Sequence, residues 1–204
     1  MEKPNFIQND LVLSEEEKVI HKPRPDRRMW LDCDVKNWPS SLKENALCPT
    51  NITIEQDLWN ELSEIVQNLE YEDVHAVLNI CFWPTCAATD KLKEKFAVFQ
   101  EDIDKYLVLR NRPYESVYPH KDPVRGTSIY LPLLPRNEDY KPLEIYWDNF
   151  EYGIPPNDNP TVWIWNTKAT HAVFNDKFYR YNIQASINLP YNEVFVKYKD
   201  VFDI

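Results

Sequence analysis

VYPHKD, residues 117–122, places one of only four histidines two residues ahead of an aspartate, between two prolines. In an extended strand, residues i and i+2 point to the same face, so His120 and Asp122 would offer an imidazole and a carboxylate side by side. Alone, the pair suits a solvated surface strand equally well, because such spacings arise by chance. The reading turns on a second histidine. His171 stands in NTKATHAVF, a β-rich run directly after the apolar run TVWIW. Two imidazoles and one carboxylate form the ligand set of a facial triad that holds non-haem Fe(II) and leaves coordination positions open.

The third part of the pattern opens the run RYNIQASINL, residues 180–189. Its alternation is regular: Tyr181, Ile183, Ala185, Ile187 and Leu189 fall on one face, and Arg180, Asn182, Gln184, Ser186 and Asn188 on the other. If the polar face met solvent, Arg180 would be a surface charge. If it turned towards a cavity beside the metal, the guanidinium could take a ligand carboxylate through two parallel hydrogen bonds, which a lysine cannot do.

Working outward, six β-rich runs separated by turn residues follow residue 113: ESVYPHKD, GTSIYLPLL, LEIYWD, TVWIWN, THAVF and RYNIQASINL. Short strands in this arrangement predict a sandwich or barrel. Ahead of them, Thr53 and Gln56 read as a capping box. They open a helix whose apolar stripe is Leu58, Leu62, Ile65, Val66 and Leu69. VHAVLNICFW (74–83) reads as one strand. A second helix is expected after Thr89, with Leu92, Phe96, Phe99, Ile103 and Tyr106 along one face. Residues 1–50 are irregular and rich in proline, with one short helix expected after Ser14. The expected layout is a single domain: residues 1–110 an irregular and helical N-terminal elaboration, 111–191 the β core, and 192–204 a C-terminal tail.

The bulk properties narrow the possible functions. The 204 residues are 43% hydrophobic and 14% aromatic, so the chain is globular and long enough for a sizeable core. A formal net charge of −10 argues against binding a phosphate backbone, and nucleic acid is an unexpected partner. The same charge leads one to expect neutral or basic substrates to be captured better than acidic ones. The four cysteines, at 33, 48, 81 and 86, have neither disulfide-framework nor regular zinc spacing. With no basic-then-apolar leader and no apolar run of membrane-spanning length, the expectation is a cytoplasmic protein without a membrane partner. Two glycines against sixteen prolines mean that turns rest on Pro, Asn and Asp.

HKD (120–122), His171 and Arg180 together resemble the HxD…H…R pattern of the 2-oxoglutarate/Fe(II)-dependent oxygenases. Within that superfamily, VYPHKD leading into TSIYLPL, then VWIWNTKATHAVFNDKFYRYNI, is most similar to the prolyl-hydroxylase type. The resemblance spans residues 113–190. One departure is local: where many of these enzymes carry a Gly-Gly turn before the middle strand, this chain has DYKPLEIYWD, with Pro142 at the turn.

The resemblance implies an α+β, mostly β fold, a double-stranded β-helix (jelly-roll, cupin-like) barrel with N-terminal helices packed on it. It implies Fe(II) on His120, Asp122 and His171, 2-oxoglutarate with its far carboxylate on Arg180, and O2 as the oxidant. Tyr130 is a candidate second partner for that carboxylate. Asn182 and Gln184, on the Arg180 face, are candidates for contacts in or near the co-substrate pocket. Fe(II) with one aspartate carries a single positive charge, which the dianionic co-substrate and Arg180 bring near neutrality. The expected reaction is hydroxylation of a C–H bond, in a prolyl or other amino-acid side chain, with release of succinate and CO2. The substrate would be a small molecule or a peptide. Two alternatives stand beside it: a cupin-like metal-binding isomerase, which does not require Arg180, and a non-catalytic binding barrel. Trp147, Trp163 and Trp165 suit either a substrate groove or the core.

Overall fold

Every residue of the Arg180–Ile187 strand is buried, so neither of its two chemically distinct faces meets solvent. That strand organises the fold seen in a computed structural model, which describes residues 28–31, 35–75, 78–135, 143–148, 150–154, 160–175 and 177–202. In chain order the first elements are β1 (Arg28–Trp30), α1 (Ser40–Asn45), β2 (Leu47–Thr53), α2 (Gln56–Gln67), β3 (Glu72–His75), β4 (Leu78–Phe82) and α3 (Ala87–Lys95). The strands β5 (Ile103–Asn111), β6 (Val117–His120), β7 (Thr127–Leu134), β8 (Leu143–Trp147) and β9 (Phe150–Gly153) follow. The chain then forms β10 (Thr161–Asn166), β11 (Thr170–Val173), β12 (Arg180–Ile187) and α4 (Tyr191–Lys197).

The strands make two sheets. The larger has the order β2-β10-β7-β12-β5-β4-β3 and the smaller β1-β9-β8-β11-β6. All pairings are antiparallel except β1 with β9. Two cores result, one on each face of the larger sheet. Ile183, Ala185 and Ile187 of β12 join Ile129 and Leu131 of β7, Leu58 and Leu62 of α2, and Leu92 of α3 in the outer core. Tyr130, Trp163 and Trp165 join Leu143, Ile145, Val117 and Val173 of the smaller sheet in the inner one. Trp38 stacks on Trp163 at 5.6 Å, tying the segment before α1 to the barrel. The molecule is therefore α+β and mostly β, with helices on the outer face of a two-sheet jelly roll.

All six β-rich runs after residue 113 form strands, and β9 adds another. The N-terminal region departs from the irregular and helical reading, since β1 to β5 extend both sheets. VHAVLNICFW is divided between the paired strands β3 and β4 rather than forming one. The helix opening at residue 56 has Glu55 as its N-cap with no side-chain cap, so Thr53 and Gln56 form no capping box. Thr53 ends β2 instead, and Glu55 pairs with Lys95 of α3. The capping box lies one helix later, where the Cys86 N–H donates to Thr89 Oγ1 at 3.1 Å. That helix stops at Lys95. Ile103 and Tyr106, spaced as a helical pair, belong to β5, where pairing on both sides with β12 and β4 outweighs the local pattern. Tyr191, Val194, Tyr198 and Phe202 bury into the outer core, so the C-terminal segment is packed against the barrel. The helix expected after Ser14, Cys33 and the Pro142 turn lie outside the described residues. Among the described residues no helix is long and apolar enough to cross a membrane, and Cys48, Cys81 and Cys86 are free thiols.

Candidate metal centre

β6 is the edge of the smaller sheet, which explains a proline inside it: Pro119 can lack an N–H because one side of the strand is unpaired. On its other side β6 pairs with β11, and the register sets His120 directly opposite His171. The two rings lie 4.2 Å apart. Asp122 is not in the strand, which ends at His120. The turn towards β7 begins there, and four hydrogen bonds hold it. The Asp122 N–H donates to Thr167 O at 2.9 Å. Lys168 Nζ donates to Asp122 O at 2.7 Å and Pro123 O at 2.5 Å. Thr167 Oγ1 donates to Arg125 O at 2.6 Å. The turn that delivers His171 thus also fixes the loop carrying Asp122.

The three side chains converge and are buried. Asp122 Oδ1 lies 3.6 Å from His120 Nε2 and 3.8 Å from His171 Nε2. Each imidazole uses its other nitrogen on backbone: His120 Nδ1 lies 2.8 Å from Tyr118 O, and His171 Nδ1 lies 2.9 Å from Ala169 O. A carbonyl only accepts, so both Nδ1 atoms carry the proton and both Nε2 atoms present lone pairs in the neutral ring. Burial pushes the His171 imidazole down to about 3, and neighbouring His120 adds to the shift. Burial alone would raise Asp122, but His120 and Arg125 outweigh it and hold the carboxyl below the usual carboxylate range. Two imidazole Nε2 atoms and a carboxylate facing one point fit a divalent cation, and the backbone bonds fix the rings as outer partners of metal-bound histidines commonly do.

Arg125 is the residue that sequence reasoning missed. Its Nη2 lies 2.5 Å from Asp122 Oδ2, and its Nη1 donates to Gln184 Oε1 at 2.7 Å. The available signal was an arginine three residues past the aspartate, ambiguous until the loop folds back on β12.

Arg180 is 1% exposed and its Nη2 donates to the Tyr130 hydroxyl. The polar face of β12 therefore points between the sheets, and Arg180 is no surface charge. Asn182 and Gln184 are buried in the same row, and Gln184 Nε2 donates to Asn182 Oδ1 at 3.1 Å. Cross-strand register arranges this inner face in rungs. Leu107, Gln184, Tyr130 and Trp163 form one; Lys105, Ser186, Ser128 and Trp165 form the next. Trp163 and Trp165 are core residues, and Trp165 meets His171 edge-on at 4.3 Å. Trp147 is partly buried against the inner core.

No family profile matches the sequence, and no curated protein does. Solved structures do match in fold. A prolyl hydroxylase from Trichoplax adhaerens, in complex with a hypoxia-inducible-factor peptide fragment, superposes with a TM-score of 0.60 at 15% identity, over 76% of this chain and 89% of that one. A 2OG-Fe(II) oxygenase family oxidoreductase from Burkholderia pseudomallei gives 0.59 at 11% identity, over 81% and 98%. A non-haem α-ketoglutarate-dependent epimerase of nogalamycin biosynthesis gives 0.56 at 10% identity, over 72% and 79%. The chain has the double-stranded β-helix fold of the 2-oxoglutarate/Fe(II) oxygenases, with a buried His-Asp-His triad inside it.

Proposed function

We propose that the protein is an Fe(II)- and 2-oxoglutarate-dependent oxygenase that hydroxylates a C–H bond of a small molecule or peptide, releasing succinate and CO2. The observation that carries this reading is the pairing of two features in one barrel: a converging His-Asp-His triad and a buried arginine bonded to a tyrosine hydroxyl. His120, Asp122 and His171 would hold the metal, which when bound supplies oxygen activation coupled to decarboxylation of the co-substrate.

The chain's own residues do the rest. The two backbone carbonyls fix the imidazoles in the ligating tautomer. Arg125 engages one carboxylate oxygen of Asp122 and leaves the other facing the histidines. Arg180 and Tyr130 offer a cation and a hydroxyl to the far carboxylate of 2-oxoglutarate, a charge-assisted pairing that needs the guanidinium. Trp163, opposite Tyr130, and Trp165 and Ile145, beside His171, close the inner core to water. An isomerase of cupin type does not require the buried arginine, which favours the oxygenase.

Structures of this fold include hydroxylases and an epimerase, so the product decides the reaction. The test is anaerobic titration with Fe(II) and 2-oxoglutarate, then succinate formation over a substrate panel with prolyl peptides and free proline first. Mass spectrometry should find one oxygen atom gained. An unchanged product mass alongside substrate-dependent succinate would replace hydroxylation with epimerisation. Absence of iron binding would remove the oxygenase reading altogether.

A further inference from the structure

The inner face of β12 carries a hydrogen-bond chain whose direction is set at one end. A side-chain amide has an accepting end and a donating end of nearly equal size, so two neighbouring amides could be ordered either way. Arg125 settles the order, because a guanidinium has donors only and must meet the oxygen of any amide it binds. Its Nη1 donates to Gln184 Oε1 at 2.7 Å. Ser128 Oγ, 3.5 Å from the same oxygen, donates to it as well. The nitrogen of Gln184 is thereby turned along the strand, where Nε2 donates to Asn182 Oδ1 at 3.1 Å. With its oxygen committed, Asn182 has only its nitrogen left to offer. Among the described residues no hydrogen bond uses Asn182 Nδ2, although the residue is 3% exposed.

Both ends of this chain are anchored. At the head, Arg125 Nη2 lies 2.5 Å from Asp122 Oδ2, and Thr167 Oγ1 donates to the Arg125 carbonyl at 2.6 Å. Beyond the tail, the next residue on the same face of β12 is Arg180, whose Nη2 donates to the Tyr130 hydroxyl. That bond occupies the tyrosine oxygen and leaves its proton to donate. Tyr130 stands opposite Gln184 in the β7–β12 register, so it borders the same row. Arg180, Tyr130 and Asn182 are thus three buried neighbours that all face a ligand as donors, and a carboxylate accepts at about four sites. A buried donor is costly to leave unmade, which favours the arrival of an acceptor beside Asn182.

We infer that Arg125 is a positioning residue for the co-substrate: through Gln184 it holds the Asn182 amide nitrogen outward, so that Asn182 joins Arg180 and Tyr130 in donating to the far carboxylate of 2-oxoglutarate. This rests on the oxygenase reading and adds a division of labour to it. Gln184 does not touch the co-substrate but aligns the residue that does. One guanidinium serves both the ligating carboxylate of Asp122 and the amide row, so the metal centre and the co-substrate pocket share an anchor.

The experiment uses the Zn(II)-loaded protein, which is redox-inert and diamagnetic. Calorimetry gives the 2-oxoglutarate dissociation constant of wild type, Arg125→Gln, Asn182→Ala and the double variant. A glutamine accepts as readily as it donates, so at position 125 it no longer dictates the order of the amides. Each single variant should weaken 2-oxoglutarate severalfold. The double variant should fall short of the product of the two by at least about threefold, because residues acting through one hydrogen-bond network couple. Loss of the Arg125 charge alone would multiply through both backgrounds and give no coupling. Proton–nitrogen NMR supplies a second readout. The Asn182 side-chain amide, identified by its absence in Asn182→Ala, should move downfield when 2-oxoglutarate is added to wild type. Losses that multiply, or an Asn182 signal that 2-oxoglutarate leaves in place, would overturn the positioning role and leave the oxygenase standing. Failure of the wild-type protein to bind 2-oxoglutarate at all would overturn both.

Discussion

At the scale of single residues, His171 shows how burial prepares a ligand. Enclosed by Trp165, His120 and the backbone of Ala169, its ring stays neutral at physiological pH and holds its lone pair towards Asp122. His120→Ala, Asp122→Ala and His171→Ala should each abolish tight Fe(II) or Mn(II) binding, measured anaerobically by calorimetry. Full metal occupancy in His171→Ala would dismiss the triad. Arg180→Ala should leave the metal bound and weaken 2-oxoglutarate by at least about tenfold, since a buried carboxylate loses a charge-assisted partner worth about 2–5 kcal/mol. A shift in its dissociation constant below about fivefold would mean that Arg180 serves only the Tyr130 contact. Most of this centre was legible beforehand. His120, Asp122, His171 and Arg180 announce themselves by spacing and by the polar face of one alternating strand. Arg125 does not, because its role exists only once the loop after Pro123 folds back over β12. Asp122 shares a direction with His120 through loop contacts, not through a common strand.

Elements explain which parts of the fold could be read. The runs after residue 113 keep period-two alternation and β-branched or aromatic residues, so each announces a strand without help from its neighbours. β2 (LCPTNIT) and β3 (EDVH) contain proline, asparagine or acidic residues that strands usually avoid, and they lie at the two edges of the larger sheet. Ile103 and Tyr106 misled for the converse reason: their spacing suits a helix, but β5 lies between two partner strands. The two faces of β12 make a direct test. Ile183, 1% exposed among α2 and α3 side chains, should cost about 2–4 kcal/mol when cut to alanine, read from urea unfolding. Val196, 73% exposed on α4, should cost less than about 0.5 kcal/mol when cut the same way. Comparable losses at the two sites would contradict the assignment of the outer core.

For the whole molecule, the metal site and the stability of the fold are linked through protons. Burial holds the His171 imidazole down to about 3 in the folded chain, against an ordinary 6.5, so the unfolded chain takes up its proton first as the pH falls. The metal-free protein should therefore lose stability progressively from about pH 6.5 towards pH 3. The depressed Asp122 carboxyl should add a further loss at the acid end, below about pH 4. Denaturant midpoints across that range would show it, and a flat profile in wild type matching that of His171→Ala would refute it. Metal loading should deepen the acid loss, because binding requires both rings neutral and the carboxylate ionised. The edge-on contact of Trp165 with His171 has an optical consequence. An indole 4.3 Å from a ligating imidazole lies within quenching range of a paramagnetic ion, so the protein should dim its own fluorescence as it fills with Fe(II) or Co(II). Trp165→Phe should remove most of that response while leaving metal uptake intact, and the unmodified chain would then serve as its own occupancy gauge.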